Sequence, residues 1–163
     1  MKSPVVQLER TGCGIAAVAA LAGRSYPEMK SIADTLDIFA DDKSLWSDTP
    51  YIRRLLDHVG LIADAGEVPF RSWEPLPRLA LLAIRWHQEK DSPFWHWVVF
   101  VRENGQPFVL DSKEGLRNNI RTDFGRMRPR WSIRVTEDRK VSGENTSFTK
   151  GTGHDQSQHL LSP

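Results

Sequence analysis

Gln7-Leu8-Glu9-Arg10-Thr11-Gly12-Cys13-Gly14-Ile15-Ala16-Ala17-Val18-Ala19-Ala20-Leu21 is the stretch whose reading decides the fold. From Cys13 onward it carries no charge until Arg24. Its Ala, Ile, Val and Leu residues fall on every side of a helical wheel, so the segment reads as a helix buried all round. Gly23 ends it, as glycine does just past a helix C-terminus. The run is too short to span a bilayer. A thiol therefore opens a central, buried helix. Free backbone N–H groups and the positive dipole end favour a thiolate at such a place. Gln7, six residues upstream, offers an uncharged amide. Together with a backbone N–H it can form an oxyanion hole for attack on a carbonyl.

Working outward, Ser25-Tyr26-Pro27-Glu28 is a capping box with Pro in the first turn. Met29, Ile32, Ala33 and Leu36 follow at the spacing of an amphipathic helix. Residues 41–48 are polar and read as a loop with Trp46 tucked inward. Thr49-Pro50 starts a third helix with the stripe Ile52, Leu55, Leu56 and Val59, closed by Gly60. His58 falls one place off that stripe, a surface position. The character then changes. Residues 61–63 read as a short strand, and 67–77, with three prolines, as an irregular connection. The apolar run 79–86 reads as a buried strand, 87–92 as a polar loop and 94–101 as a second strand. Asn104-Gly105 is a hairpin turn leading into a strand at 107–110. A last strand is expected at 131–135. Helices followed by antiparallel strands define an α+β domain, with the Cys-bearing helix packed on the sheet. It is expected to cover residues 1–135, with 136–163 a polar, disordered tail.

The 163 residues suit one domain, and a hydrophobic content of 39% with six tryptophans supplies a core. A net charge of +1 argues against a general polyanion binder. A single cysteine excludes an internal disulfide and fits a reducing compartment. The N-terminus, with Lys2, Pro4 and scattered charges, lacks the apolar stretch of a signal peptide. The expected address is cytoplasmic, with export by a route that reads no N-terminal signal left open.

The hairpin supplies partners for the thiol. With Asn104-Gly105 as a two-residue turn, Glu103 faces Gln106, Arg102 faces Pro107, Phe100 faces Val109 and Val98 faces Asp111. His96, two residues from Val98, then lies diagonally beside Asp111 on one face, roughly 7–8 Å away along the backbone and within side-chain reach. A slip of one residue would put Asp111 on the opposite face. Pro107 falls in a non-hydrogen-bonded pair and suggests an edge or a bulge on its other side. Trp95 and Trp97 point to the other face, into the core. Cys13, His96 and Asp111 make up a nucleophile, a base and an orienting carboxylate.

These residues resemble the papain-like cysteine peptidases, and among them the bacteriocin-processing family that cleaves double-glycine leaders. That pattern begins with Gln, five residues, then Cys-Gly and a small-residue helix, here Gln7 to Gly14. A strand such as Leu82-Ala83-Ile84 follows, then His leading a Val-rich strand, here His96-Trp97-Val98-Val99-Phe100, then Asp111 fifteen residues on. The chain departs from the pattern at Gly12, where the family carries Asp, and at Ser112, where it carries Pro. The resemblance spans about residues 4–112. It implies a papain-like peptidase fold and an endopeptidase without a cofactor, acting on peptide or protein substrates. Cys13 would be its nucleophile, His96 its base, Asp111 its orienter and Gln7 its oxyanion donor.

Two other classes stay open. Thiol acyltransferases, transglutaminase-like cross-linkers and deamidating effectors or toxins also use Cys, His and Asp. A binding module is the other, because Arg117, Arg121, Arg126, Arg128, Arg130 and Arg134 interleave with Phe124 and Trp131. The near-zero net charge favours reading that Arg117–Arg134 stretch as a solvated face or a cleft rim, and no nucleic-acid partner is expected. No metal is expected: His87 and His96 lack ligand spacing, and His154 and His159 lie in the polar tail.

Overall fold

The computed structural model describes residues 1–137. Three helices come first: α1 (Cys13–Ala22), α2 (Tyr26–Thr35) and α3 (Pro50–His58). Seven strands follow: β1 (Leu61–Ala63), β2 (Val68–Pro69), β3 (Leu79–Glu89), β4 (Ser92–Glu103), β5 (Gln106–Leu110), β6 (Ile120–Arg121) and β7 (Trp131–Glu137). They form one antiparallel sheet in the order β1-β7-β3-β4-β5-β6, with β2 beside β7. The protein is thus an α+β domain with its helices against a sheet, and a buried cysteine begins α1.

Every residue from Cys13 to Leu21 is buried. α1 packs on β4 on one side and on α2 and α3 on the others. Burial of Ile15, Val18 and Leu21 stabilises the fold by about 1.5–3 kcal/mol each. Gly23, at φ 69°, supplies the left-handed turn that ends the helix. The Ser25–Glu28 capping box forms in both directions at the start of α2. α3 buries Tyr51, Ile52, Leu55 and Leu56 and leaves His58 exposed.

Both faces of the central strands are covered, which explains why 79–84 is continuously apolar instead of alternating. Leu79, Leu81, Ala83, Trp97, Val99 and Val101 meet the helices. Ala80, Leu82, Ile84, Val98, Phe100 and Val109 meet a second layer built from Leu76, Met127, Phe70, Trp73 and Phe124.

Three expectations need correction. Residues 87–92 are not a loop: Gln88 pairs with Pro93 and Glu89 with Ser92, so β3 and β4 continue as an exposed hairpin arm. Solvent on both faces removes any apolar periodicity from that arm. It leaves the sheet at an irregularity between Ile84 and His87, where Arg85 takes φ 56°. The loop at 41–48 contains a 3-10 helix, Lys43–Ser47. Thr136 and Glu137, assigned to the tail, complete β7 and pair with Ile62 and Leu61. The rest of the expected tail, 138–163 with His154 and His159, lies outside the described residues. Among those described, no helix is long and apolar enough to cross a membrane.

Candidate active site

The hairpin register is the one the turn demands. Glu103 faces Gln106, Arg102 faces Pro107, Phe100 faces Val109 and Val99 faces Leu110. Asn104 and Gly105 both have positive φ, as a two-residue primed turn requires. β6 pairs with Val109 and Leu110 but not with Pro107, which among the described residues meets no strand on its other side and so lies at an edge. Asp111 follows directly after β5, on the His96 face. His96 Nε2 and Asp111 Oδ1 are 2.7 Å apart.

Cys13 lies near enough to the imidazole to raise its pKa. With Nε2 committed to Asp111, Nδ1 is the nitrogen left for the sulfur. Trp97, the next residue of β4, donates its backbone N–H to Cys13 Sγ at 3.5 Å. One strand thus brings two groups to the thiol, and α1 holds the thiol under them. Burial opposes a charge on His96. The hydrogen bond to Asp111, with its negative charge, and the nearby Cys13 sulfur outweigh it and push the imidazole pKa up to about 9. Asp111 is wholly buried. Burial alone would raise its carboxyl. His96 foremost, then the Lys113 backbone N–H and Arg121, hold it well below the usual carboxylate range.

Gln7 is buried and tied to the same end of the hairpin. Its backbone N–H donates to Ser112 O at 2.9 Å, and its Oε1 accepts from Ser112 Oγ at 2.7 Å. Its amide Nε2 donates to the carbonyls of Glu9 and Arg10 at 2.9 and 3.0 Å. In this arrangement Gln7 braces the turn that leads into Cys13. The Ser112 hydroxyl makes that link.

Gly12 leaves no room for a side chain, because a Cβ there would meet Tyr26 Oη at 2.2 Å. That hydroxyl donates to Glu9 Oε1 at 2.5 Å, and Lys30 Nζ meets Glu9 Oε2 at the same distance. Gly14 is as constrained: a Cβ would lie 2.0 Å from Tyr51 Oη and within 3 Å of two ring carbons. Tyr51 is buried, so it cannot swing aside cheaply. Gly14→Ala is therefore expected to destabilise the fold by about 1–3 kcal/mol through overpacking. A thermal melt equal to that of the wild type would contradict this.

A cleft of about 560 Å³ runs from Gln7 to His96. Trp46 and Phe94 meet edge-to-face at one wall, and His87 stacks on Phe94 from the hairpin arm. Its volume is in the range that holds a small ligand or a few residues of peptide. Cys13 is 1% exposed and does not itself line the cleft, while the His96 side chain does and keeps 15% exposure.

Trp95 and Trp97 are buried and meet edge-to-face, as core residues. The aromatic residues of the Arg117–Arg134 stretch are used internally. Phe124 packs on Trp73 and Trp131 on Trp95. Arg130 lies over the Trp86 ring, and Arg134 pairs with Asp64.

Arg121 was legible only as part of that basic stretch, yet it belongs to the site. Its Nη1 donates to Asp111 Oδ2 at 2.9 Å. Its Nε and Nη2 grip Asp123 at 2.9 and 2.7 Å. Arg121 faces Val109 across β5 and β6, two residues from Asp111. The same diagonal count that joins His96 to Asp111 would have found it, given a strand long enough to recognise.

No family model matches this chain, and no curated protein matches it.

Proposed function

We propose that the chain is a cysteine peptidase of the papain-like kind, hydrolysing peptide bonds in peptide or protein substrates. The observation that carries this reading is one strand, β4, that sets the His96 imidazole 2.7 Å from the buried Asp111 carboxylate and, one residue on, the Trp97 backbone N–H on the Cys13 sulfur. The resemblance from Gln7 to Asp111 supports it, and the cleft beside His96 gives a peptide somewhere to lie.

In this reading Cys13 Sγ, having passed its proton to His96, attacks the scissile carbonyl carbon. The carbonyl oxygen becomes an oxyanion. The Cys13 backbone N–H, among the free N–H groups of the first turn of α1, faces it with one hydrogen of the Gln7 amide. Gln7 releases a loop carbonyl to do so, while Ser112 keeps hold of its oxygen. The intermediate collapses, the C–N bond breaks, and His96 delivers its proton to the departing amine. A thioester remains on Cys13. Water adds to it with His96 as base, the acid leaves, and the thiol and imidazole return to their starting state. Asp111 stays ionised throughout and fixes the imidazole ring.

Digestion of a diverse peptide library by the wild-type chain, read by mass spectrometry, tests the proposal. New termini at defined bonds are the expected products. Mass changes without cleavage would replace hydrolysis by acyl transfer or deamidation on the same three residues. No change of either kind, with the thiol intact, would remove the enzymatic reading.

A further inference from the structure

We propose that Arg121 is a positioning residue of this site, which locks the Asp111 carboxylate in the plane His96 needs and limits how tightly the Asp111–His96 pair retains its proton. The proposal rests on the peptidase reading for its consequence in catalysis, but not for its geometry.

The contacts form a chain. His96 Nε2 and the Lys113 N–H donate to Asp111 Oδ1, and Arg121 Nη1 donates to Oδ2. Arg121 is itself held on its far side by both oxygens of Asp123. Its side chain is only 13% exposed, and Asp111 is fully enclosed. A carboxylate with donors on both oxygens cannot rotate without breaking one of them. Arginine suits this place because its planar fork serves two carboxylates at once and it never loses its charge near neutral pH.

The electrostatic effect follows from the same placement. An imidazolium beside an unshared, buried carboxylate would be slow to release its proton. A permanent cation on the other carboxylate oxygen weakens that hold, because it repels the imidazolium and takes up part of the carboxylate's field. His96 can then give its proton to a leaving amine and take one from water. Other charged groups also face His96. Cys13 does so from α1, and Glu9 and Arg10 from the turn before it. Arg85, His87 and Glu89 reach the cleft from β3, and Lys113 and Glu114 from the loop after β5. None of these side chains touches Asp111, so exchanging Arg121 alone isolates the effect.

The experiment compares Arg121→Gln, which keeps a donor but drops the charge, with Arg121→Lys, which keeps the charge. The His96 ring is titrated by NMR in the full chain, its signal identified by its loss in His96→Gln. This reading needs no substrate. In Arg121→Gln the midpoint should rise by on the order of one pH unit, whereas Arg121→Lys should stay close to the wild type. An unmoved midpoint in a folded Arg121→Gln chain overturns the proposal. Should Arg121→Gln not fold, Arg121→Lys decides through peptide cleavage. A Lys cannot fork between Asp111 and Asp123, so kcat should fall about tenfold with KM unchanged. Wild-type kcat there would overturn the positioning role. A chain that cleaves nothing but shows the NMR shift would refute the peptidase reading and leave the role of Arg121 standing.

Discussion

Cys13→Ala is expected to lower peptide turnover by at least about 10⁴-fold and to leave the chain folded. The substitution removes the only atom able to form a thioester, because the protein has one cysteine. Its structural cost is small. Cβ is kept, and the sulfur is one atom of a tightly packed helix start, so about 1 kcal/mol of stability should be lost. A second consequence separates chemistry from packing. His96 is raised to about 9 against burial, first by its hydrogen bond to Asp111 and then by Cys13. Without the sulfur the His96 midpoint should fall. The folded-state value lies above the ordinary histidine value of about 6.5. Charged His96 therefore adds stability that is complete below about pH 6.5 and is lost as pH rises through about 9. In Cys13→Ala that loss should begin at lower pH. In the wild type the cleavage rate should fall above about pH 9, where His96 no longer carries the proton for the leaving amine. Turnover surviving in Cys13→Ala would remove the nucleophile from the proposal.

What the sequence showed of this site depended on how local the constraint was. Asn104-Gly105 sets a two-residue turn, and a two-residue turn sets every pair behind it. His96 and Asp111 could therefore be placed together by counting, although fifteen residues separate them. α1 was legible because a segment apolar on all sides has no other stable place than the interior. The missed features lack such a rule. Arg121 sits in a strand of two residues, too short for a pattern. The hairpin arm beyond Ile84 is exposed on both faces, so its backbone pairs without leaving a hydrophobic trace. The link from Ser112 to Gln7 joins residues 105 positions apart and follows from no spacing at all. The bracing of the Cys13 turn by Tyr26, Glu9 and Lys30 is equally non-local.

Asp111→Asn should reduce kcat/KM by roughly 10²–10⁴, by analogy with the loss of the orienting carboxylate in serine triads. Asparagine has nearly the volume of aspartate and can still accept from Arg121 or from the Lys113 N–H, so the backbone should hold. What it cannot do is stabilise the imidazolium or compel Nε2 to carry the proton. The same substitution leaves Asp123 as the carboxylate still paired with Arg121, and that carboxylate is 41% exposed and screened by solvent. Asp111→Ala goes further. It removes the partner of two cationic groups from a fully enclosed site, where such a loss costs about 3–5 kcal/mol. The pH dependence distinguishes charge from shape. The folded-state carboxyl of Asp111 is depressed, so its stabilising effect is present above about pH 4 and is lost as pH falls through that lower value. Urea unfolding followed downward from neutral pH should therefore show a steeper acid loss in the wild type than in Asp111→Asn. Water cannot substitute for the missing charge, because no surface of Asp111 reaches solvent. A variant that cleaved at the wild-type rate would mean that His96 is oriented by its own packing on β4, and the carboxylate would have to be read as a brace for the chain between β5 and β6.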